Sequence, residues 1–315
     1  MGKSDSSARG GSTINIVEAA KFTIVCNNIY NLRNSAVIIS GCDDFYIKCK
    51  TITSGTRSEN KNVGAAVIFN TGSGFIYADE IICDGPGSCL VQSGGIINGK
   101  ILKLTTLTNE TAANPTIMVD NVSGDQNLIL KFDEIQNLNS TDGDAVTIAE
   151  GKADLTGRRI YSYKGLSLDL GANANIKCSE IISDTQGVNI HNTDPEKIII
   201  DSDYIEGSVG NNGVVYAVDS ANFTIRNAKI KNVSTASSSV GIYLDPVNGN
   251  PYIELNNIIV VTGDLIFGES IYENTGSNVA YIYNYGTFAN KNISGPSILV
   301  GTDLNYKVII DALIS

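Results

Sequence analysis

Residues 223 to 232 read FTIRNAKIKN, and residues 22 to 31 read FTIVCNNIYN. Both place an aliphatic residue, four mostly polar or small positions, and a second aliphatic five residues after the first. Asn, Ser or Gly follows two positions later. The phrase can be followed along most of the chain. Its first aliphatic falls at Ile24, Ile47, Ile76, Ile96, Leu130, Leu155, Ile176, Ile200, Ile225 and Ile253. Its second falls at Ile29, Ile52, Ile81, Ile101, Ile135, Ile160, Ile181, Ile205, Ile230 and Ile258. Consecutive copies stand 20 to 34 residues apart. A fixed phrase separated by inserts of variable length marks a solenoid, in which each repeat buries its apolar face against its neighbours.

The kind of solenoid follows from the period. Gly64, Gly143, Gly165, Gly187, Gly213 and Gly241 each open a short alternating run such as AAVIFN or DAVTIAE. Apolar residues alternate over four to six positions and then break at Gly, Asn, Asp or Ser, whereas a helix would need stripes at i, i+3, i+4 and i+7. The expectation is an all-β chain: a parallel β-helix of about ten or eleven rungs, stacked about 4.8 Å apart. Equivalent residues then face their own copies. Two positions after the first aliphatic stand Cys26, Cys49, Ala78, Asn98, Phe132, Gly157, Cys178, Ser202, Asn227 and Leu255, read as an inward column. Four positions after it, Glu80, Lys100, Glu134, Arg159 and Glu180 alternate in sign, as do Lys177, Asp201, Arg226 and Glu254 one position after it. Opposite charges on adjacent strands support pairing.

The chain has 22 Lys and Arg against 33 Asp and Glu, a net charge of -11, which argues against a nucleic-acid backbone as partner. No run approaches the length of a membrane span, and MGKSDSSARGGST lacks the apolar centre of a signal peptide. Three regions are expected: a polar anchor or tail at 1–12, the β-helix at 13–262, and an irregular β-rich cap or oligomerisation module at 263–315. The anchor carries Lys3 and Arg9; the last region carries Tyr281, Tyr283 and Tyr285. The six cysteines, at 26, 42, 49, 83, 89 and 178, have neither CxxC spacing nor nearby histidines, and are expected to be free thiols.

The repeat resembles the right-handed parallel β-helix superfamily, which includes pectate lyases, polygalacturonases and many bacteriophage tail spikes and fibres. The resemblance covers residues 13 to about 262. Polygalacturonases carry NTD, DD, GHG and RIK in that order; here Asn192, Thr193 and Asp194 spell NTD, but Asp43 and Asp44 precede them and His191 lacks flanking glycines. Pectate lyases use a calcium-binding carboxylate cluster and an Arg base. The corresponding candidates are Asp201 and Asp203 for calcium, with Arg226 as base, although a salt ladder explains the same residues. Other carboxylates, among them Asp142 and Asp144, are plentiful, and nothing local singles one out. No cofactor is implied.

These features favour a non-enzymatic structural or adhesive component of a virion, such as a phage head fibre, spike or decoration protein. It would be made in the host cytoplasm, dock on other virion proteins through its amino terminus, and self-associate as a homotrimer. The alternative is a polysaccharide lyase or glycoside hydrolase acting on acidic or bacterial surface polysaccharide; a third reading is a cell-surface adhesin.

Overall fold

A computed structural model describes residues 11–267 apart from 32–33, 56–64, 86, 108–113, 121–126, 193–196, 211–212, 219–221, 236–239, 246–251, 257 and 263. Beyond 267 it describes strands at 279–284, 287–288, 298–299 and 307–312. The described chain is an all-β parallel solenoid without helices, whose regular part makes about eight turns. Strand pairing continues past that part at both ends, to twelve strands in the smaller sheet and sixteen in the larger. In each sheet the strands follow one another in chain order, so every turn adds one layer to both.

Each turn contributes a two- to six-residue strand to the smaller sheet. Val67–Phe69, Leu90–Gln92, Ile117–Val119, Val146–Ile148, Leu168–Leu170 and Val188–Ile190 all bury their first and last residues and leave the middle one half-exposed. This is the period of two that a strand requires. The larger sheet receives longer strands, such as Asn127–Asn137 and Lys152–Ser162.

Register explains the repeated phrase. Leu130, Leu155, Ile176, Ile200 and Ile225 lie opposite one another in successive layers, as do Ile135, Ile160, Ile181, Ile205 and Ile230. All ten are buried, and each such side chain contributes about 1.5–3 kcal/mol on leaving water. The polar residue ending the phrase stacks too: Asn31, Ser54, Cys83, Thr106, Asn137, Ser162 and Ser183 form one column. Its task is to hold the corner between the sheets. Asn137 Nδ2 donates to the carbonyls of Asn114 and Asp144 at 3.0 and 2.8 Å. Ser162 Oγ donates to Gly143 O and Ser183 Oγ to Gly165 O, both at 2.8 Å. Without these side chains the corner carbonyls would be buried with fewer partners.

Two copies of the phrase are displaced from their expected positions. In the fourth, Gly99 and Leu104 occupy the aliphatic sites, not Ile96 and Ile101. Ile101, not Asn98, joins the inward column between Ala78 and Phe132. Packing tolerates a glycine there because neighbours fill its space: a Cβ on Gly99 would stand 2.7 Å from Leu130 Cδ1. In the tenth copy, Leu255 and Val260 lie opposite Ile225 and Ile230, so Ile253 and Ile258 are not the aliphatic pair. Asn227 is exposed with φ near 60°, and Ala228 takes the buried place expected of it.

The charge ladder shifts with the fourth copy. Lys103, not Lys100, stands between Glu80 and Glu134 in a column that continues through Arg159 and Glu180. Glu134 pairs with Lys103 at 3.7 Å and Arg159 at 3.2 Å, and Arg159 reaches Glu180 at 3.7 Å. At the carboxyl end, Val279–Asn284 pairs in parallel with Tyr252–Asn256, placing Tyr281 opposite Tyr252 and Tyr283 opposite Glu254. Lys3, Arg9 and Tyr285 lie outside the described residues.

Candidate functional site

On the smaller sheet, one outward residue from each successive strand forms a column. Asn15, Ile38, Ile68, Val91 and Met118 begin it; Thr147, Asp169 and Asn189 follow; Tyr216 and Tyr243 continue it. The tyrosine rings lie 5.4 Å apart, tilted by 40°.

The polar centre of this column adjoins an open cleft of about 510 Å³. Successive corners line it: Asp142, Gly143 and Asp144, then Lys164, Gly165 and Leu166, then Thr185 and Gln186, with Val209 beyond. Asp144 links the two features, lining the cleft and holding the column residue Thr147. Its Oδ1 accepts the Leu166 N–H at 2.8 Å, and its Oδ2 accepts the Thr147 hydroxyl at 3.2 Å. The strand beginning at Val146 and the clamp from Asn137 to the Asp144 carbonyl fix its position. Burial pushes its carboxyl up to about 6, helped by the charges of Asp169 and Asp142 and opposed by the Leu166 and Thr147 hydrogen bonds.

Asp169, one turn on, accepts Asn189 Nδ2 at 2.8 Å and lies 3.1 Å from His191 Nε2 through the same oxygen. The imidazole leans over Gly171, where a Cβ would come within 2.6 Å of Cε1. Burial thus lets the Asp144 carboxyl hold its proton to about pH 6, where it could donate to a ligand in the cleft.

The residues expected from sequence are arranged differently. Asp201 and Arg226 face each other in register, with Lys177 opposite Asp201 on the other side. Asp201 Oδ1 instead accepts Asn227 Nδ2 at 2.9 Å. Among the described residues no ion pair joins Asp201 to Arg226, and Arg226 Nε is buried without a hydrogen-bond partner. Asp203 is exposed. Among the described residues no group of three or more His, Cys, Asp or Glu side chains could hold a metal ion. Of the NTD sequence, Asn192 is a buried clip that exchanges hydrogen bonds with the Asn222 backbone at 3.1 and 3.2 Å. Thr193 and Asp194 lie outside the described residues.

The cysteines are free, and among the described residues no helix is long and apolar enough to cross a membrane. In comparison with known proteins, no family, curated protein or solved structure matches the chain.

Proposed function

We propose that the chain is a non-enzymatic structural or adhesive component of a virion: a head fibre, spike or decoration protein. The observation that carries this reading is the continuous in-register stack, whose interior is filled layer by layer and whose outer ladder ties Lys103, Glu134, Arg159 and Glu180 together along the axis. Such a body is a stiff spacer, and the resemblance of its repeat to phage spikes and fibres supports the assignment. Residues 1–12, with Lys3 and Arg9, would dock it, while 263–315, with Tyr281, Tyr283 and Tyr285, would join copies as a homotrimer. The test is density-gradient fractionation of particles from a producing culture, probed with antibody to the full chain. Banding with particles is expected; recovery solely as free protein refutes the reading.

Polysaccharide cleavage is a second reading, favoured by Asp144 in the lining of the cleft, with Asp169 one turn on. The two carboxyls come from adjacent turns, and glycoside hydrolysis needs a pair of such groups. Full-length protein incubated with acidic polysaccharides would then release new reducing ends, and Asp144→Asn would abolish release. No release by the unaltered protein removes this reading.

A further inference from the structure

A second outward column, on the larger sheet, behaves unlike the paired ladder. It runs Val25, Lys48, Tyr77, Lys100, Lys131, Thr156 and Lys177, all in register, and continues into Asp201 and Arg226. Lys48, Lys100, Lys131 and Lys177 are exposed. Among the described residues none of the four joins an ion pair; Lys48 rests over the Tyr77 ring, 5.7 Å from its centre.

Lys100 lies directly opposite Lys131. Like charges so placed oppose strand pairing, and the fold offers nearby acids that could relieve them. Of the acids flanking these lysines, Asp133 pairs with Arg158 at 2.9 Å, Asp154 with Lys152 at 3.3 Å and Asp44 with Lys21 at 2.6 Å, while Asp79 and Asp201 form no ion pair with them among the described residues. The chain therefore keeps an unneutralised basic stripe on a molecule with net charge -11, although the neighbouring ladder shows that the same layers can neutralise a column.

The cations are sparse. Along the axis they stand one or two layers apart, at multiples of about 4.8 Å. Between and beside them are Tyr77 and Thr156 hydroxyls and the Asn98 and Asn175 amides, groups suited to sugar hydroxyls. Nucleic acid fits less well, because its charges are denser and the molecule's overall charge repels them. We propose that this stripe binds an extended acidic glycan, with Lys48, Lys100 and Lys131 meeting carboxylates or sulfates and the interleaved side chains meeting hydroxyls. This rests on the adhesive reading above and supplies its ligand class.

The experiment is affinity electrophoresis of the full-length protein at low salt in gels containing polygalacturonate, heparin, neutral dextran or single-stranded DNA. Retardation by at least one of the two acidic glycans, and not by dextran or DNA, is expected. The double variant Lys100→Gln/Lys131→Gln should bind at least roughly fivefold more weakly, as loss of two exposed charge contacts allows. Its melting temperature should be unchanged or higher, since a repulsion is removed. Lys103→Gln, in the paired ladder, should leave binding unaltered. No retardation by either acidic glycan, retardation by DNA as strong, or an unaffected double variant overturns the proposal. Gradient banding of the protein with particles is a separate measurement, so failure here leaves the virion reading to its own test.

Discussion

Asn137→Ala probes the corner column. Asn137 is fully buried, and its side chain makes three bonds: to the carbonyls of Asn114 and Asp144, and from the Asn139 N–H at 3.0 Å. The Asp144 carbonyl retains the Thr116 N–H at 3.0 Å, and Asn114 is exposed and can turn to water, so neither loss is complete. The Asn139 amide is buried and loses the acceptor Asn137 provides. Counting roughly 1 kcal/mol for each neutral bond gives a loss of about 3 kcal/mol. Asn137→Ser should lose about half of that, because Ser162 and Ser183 show that a hydroxyl in this column can still hold one corner carbonyl. Urea unfolding followed by circular dichroism measures both, with an unchanged m-value expected if only native contacts are lost. A loss below about 1 kcal/mol for alanine, or equal losses for alanine and serine, would refute the clamp.

The Asp144 carboxyl should shape stability against pH. Folded, it keeps its proton to about pH 6, against 3.8 ordinarily, so between those values the folded state binds more protons than the unfolded one. Stability should therefore fall as pH rises through that window and level off above it, by on the order of 2 kcal/mol; Asp144→Asn should flatten this slope in urea titrations at pH 4 and 7. Burial pushes the Cys49, Cys89 and Cys178 thiols up to about 12, and Cys42 and Cys83 are buried with them. A thiol reagent at neutral pH should label at most Cys26 quickly in the native protein, and all six thiols after unfolding. Finally, a Cβ on Gly157 would stand 2.3 Å from Phe132 Cε2. Gly157→Ala should cost about 1–3 kcal/mol, and adding Phe132→Leu should recover part of it; additive losses in a double-mutant cycle would contradict the contact.

The stacking fold was legible because each layer repeats the environment of the last, so one side-chain choice recurs where the geometry recurs. Legibility failed where a neighbour supplies what a layer lacks. Gly99 has no side chain for a hydrophobic pattern to find, and Leu130 from the next layer covers its site. The aliphatic match therefore slid three residues and carried Lys100 into the place of Lys103. The cleft was harder to find because Asp144, Lys164 and Thr185 come from three turns and share no local motif. A usable signal was nevertheless present in the glycines that open the short strands. Counting four residues from Gly143 and from Gly165 reaches Thr147 and Asp169, which the structure places opposite each other.

Function in such a molecule is written across layers, and this separates chemistry from stability. The inward columns need only volume and register, as Phe132 over Gly157 shows. The outward columns can change character without disturbing them: the exposed row of the smaller sheet passes from Met118 to Thr147 and Asp169 while its strands keep the same buried flanks. Substituting one outward residue should alter recognition at one layer alone. Removing a whole turn would instead bring unlike partners together, for example Lys131 opposite Lys177 if residues 152 to 172 were deleted, since the layer of Lys131 would then meet that of Lys177. The stack would remain continuous while the charge pattern on its surface changed, so such a deletion should shift ligand binding more than it shifts folding.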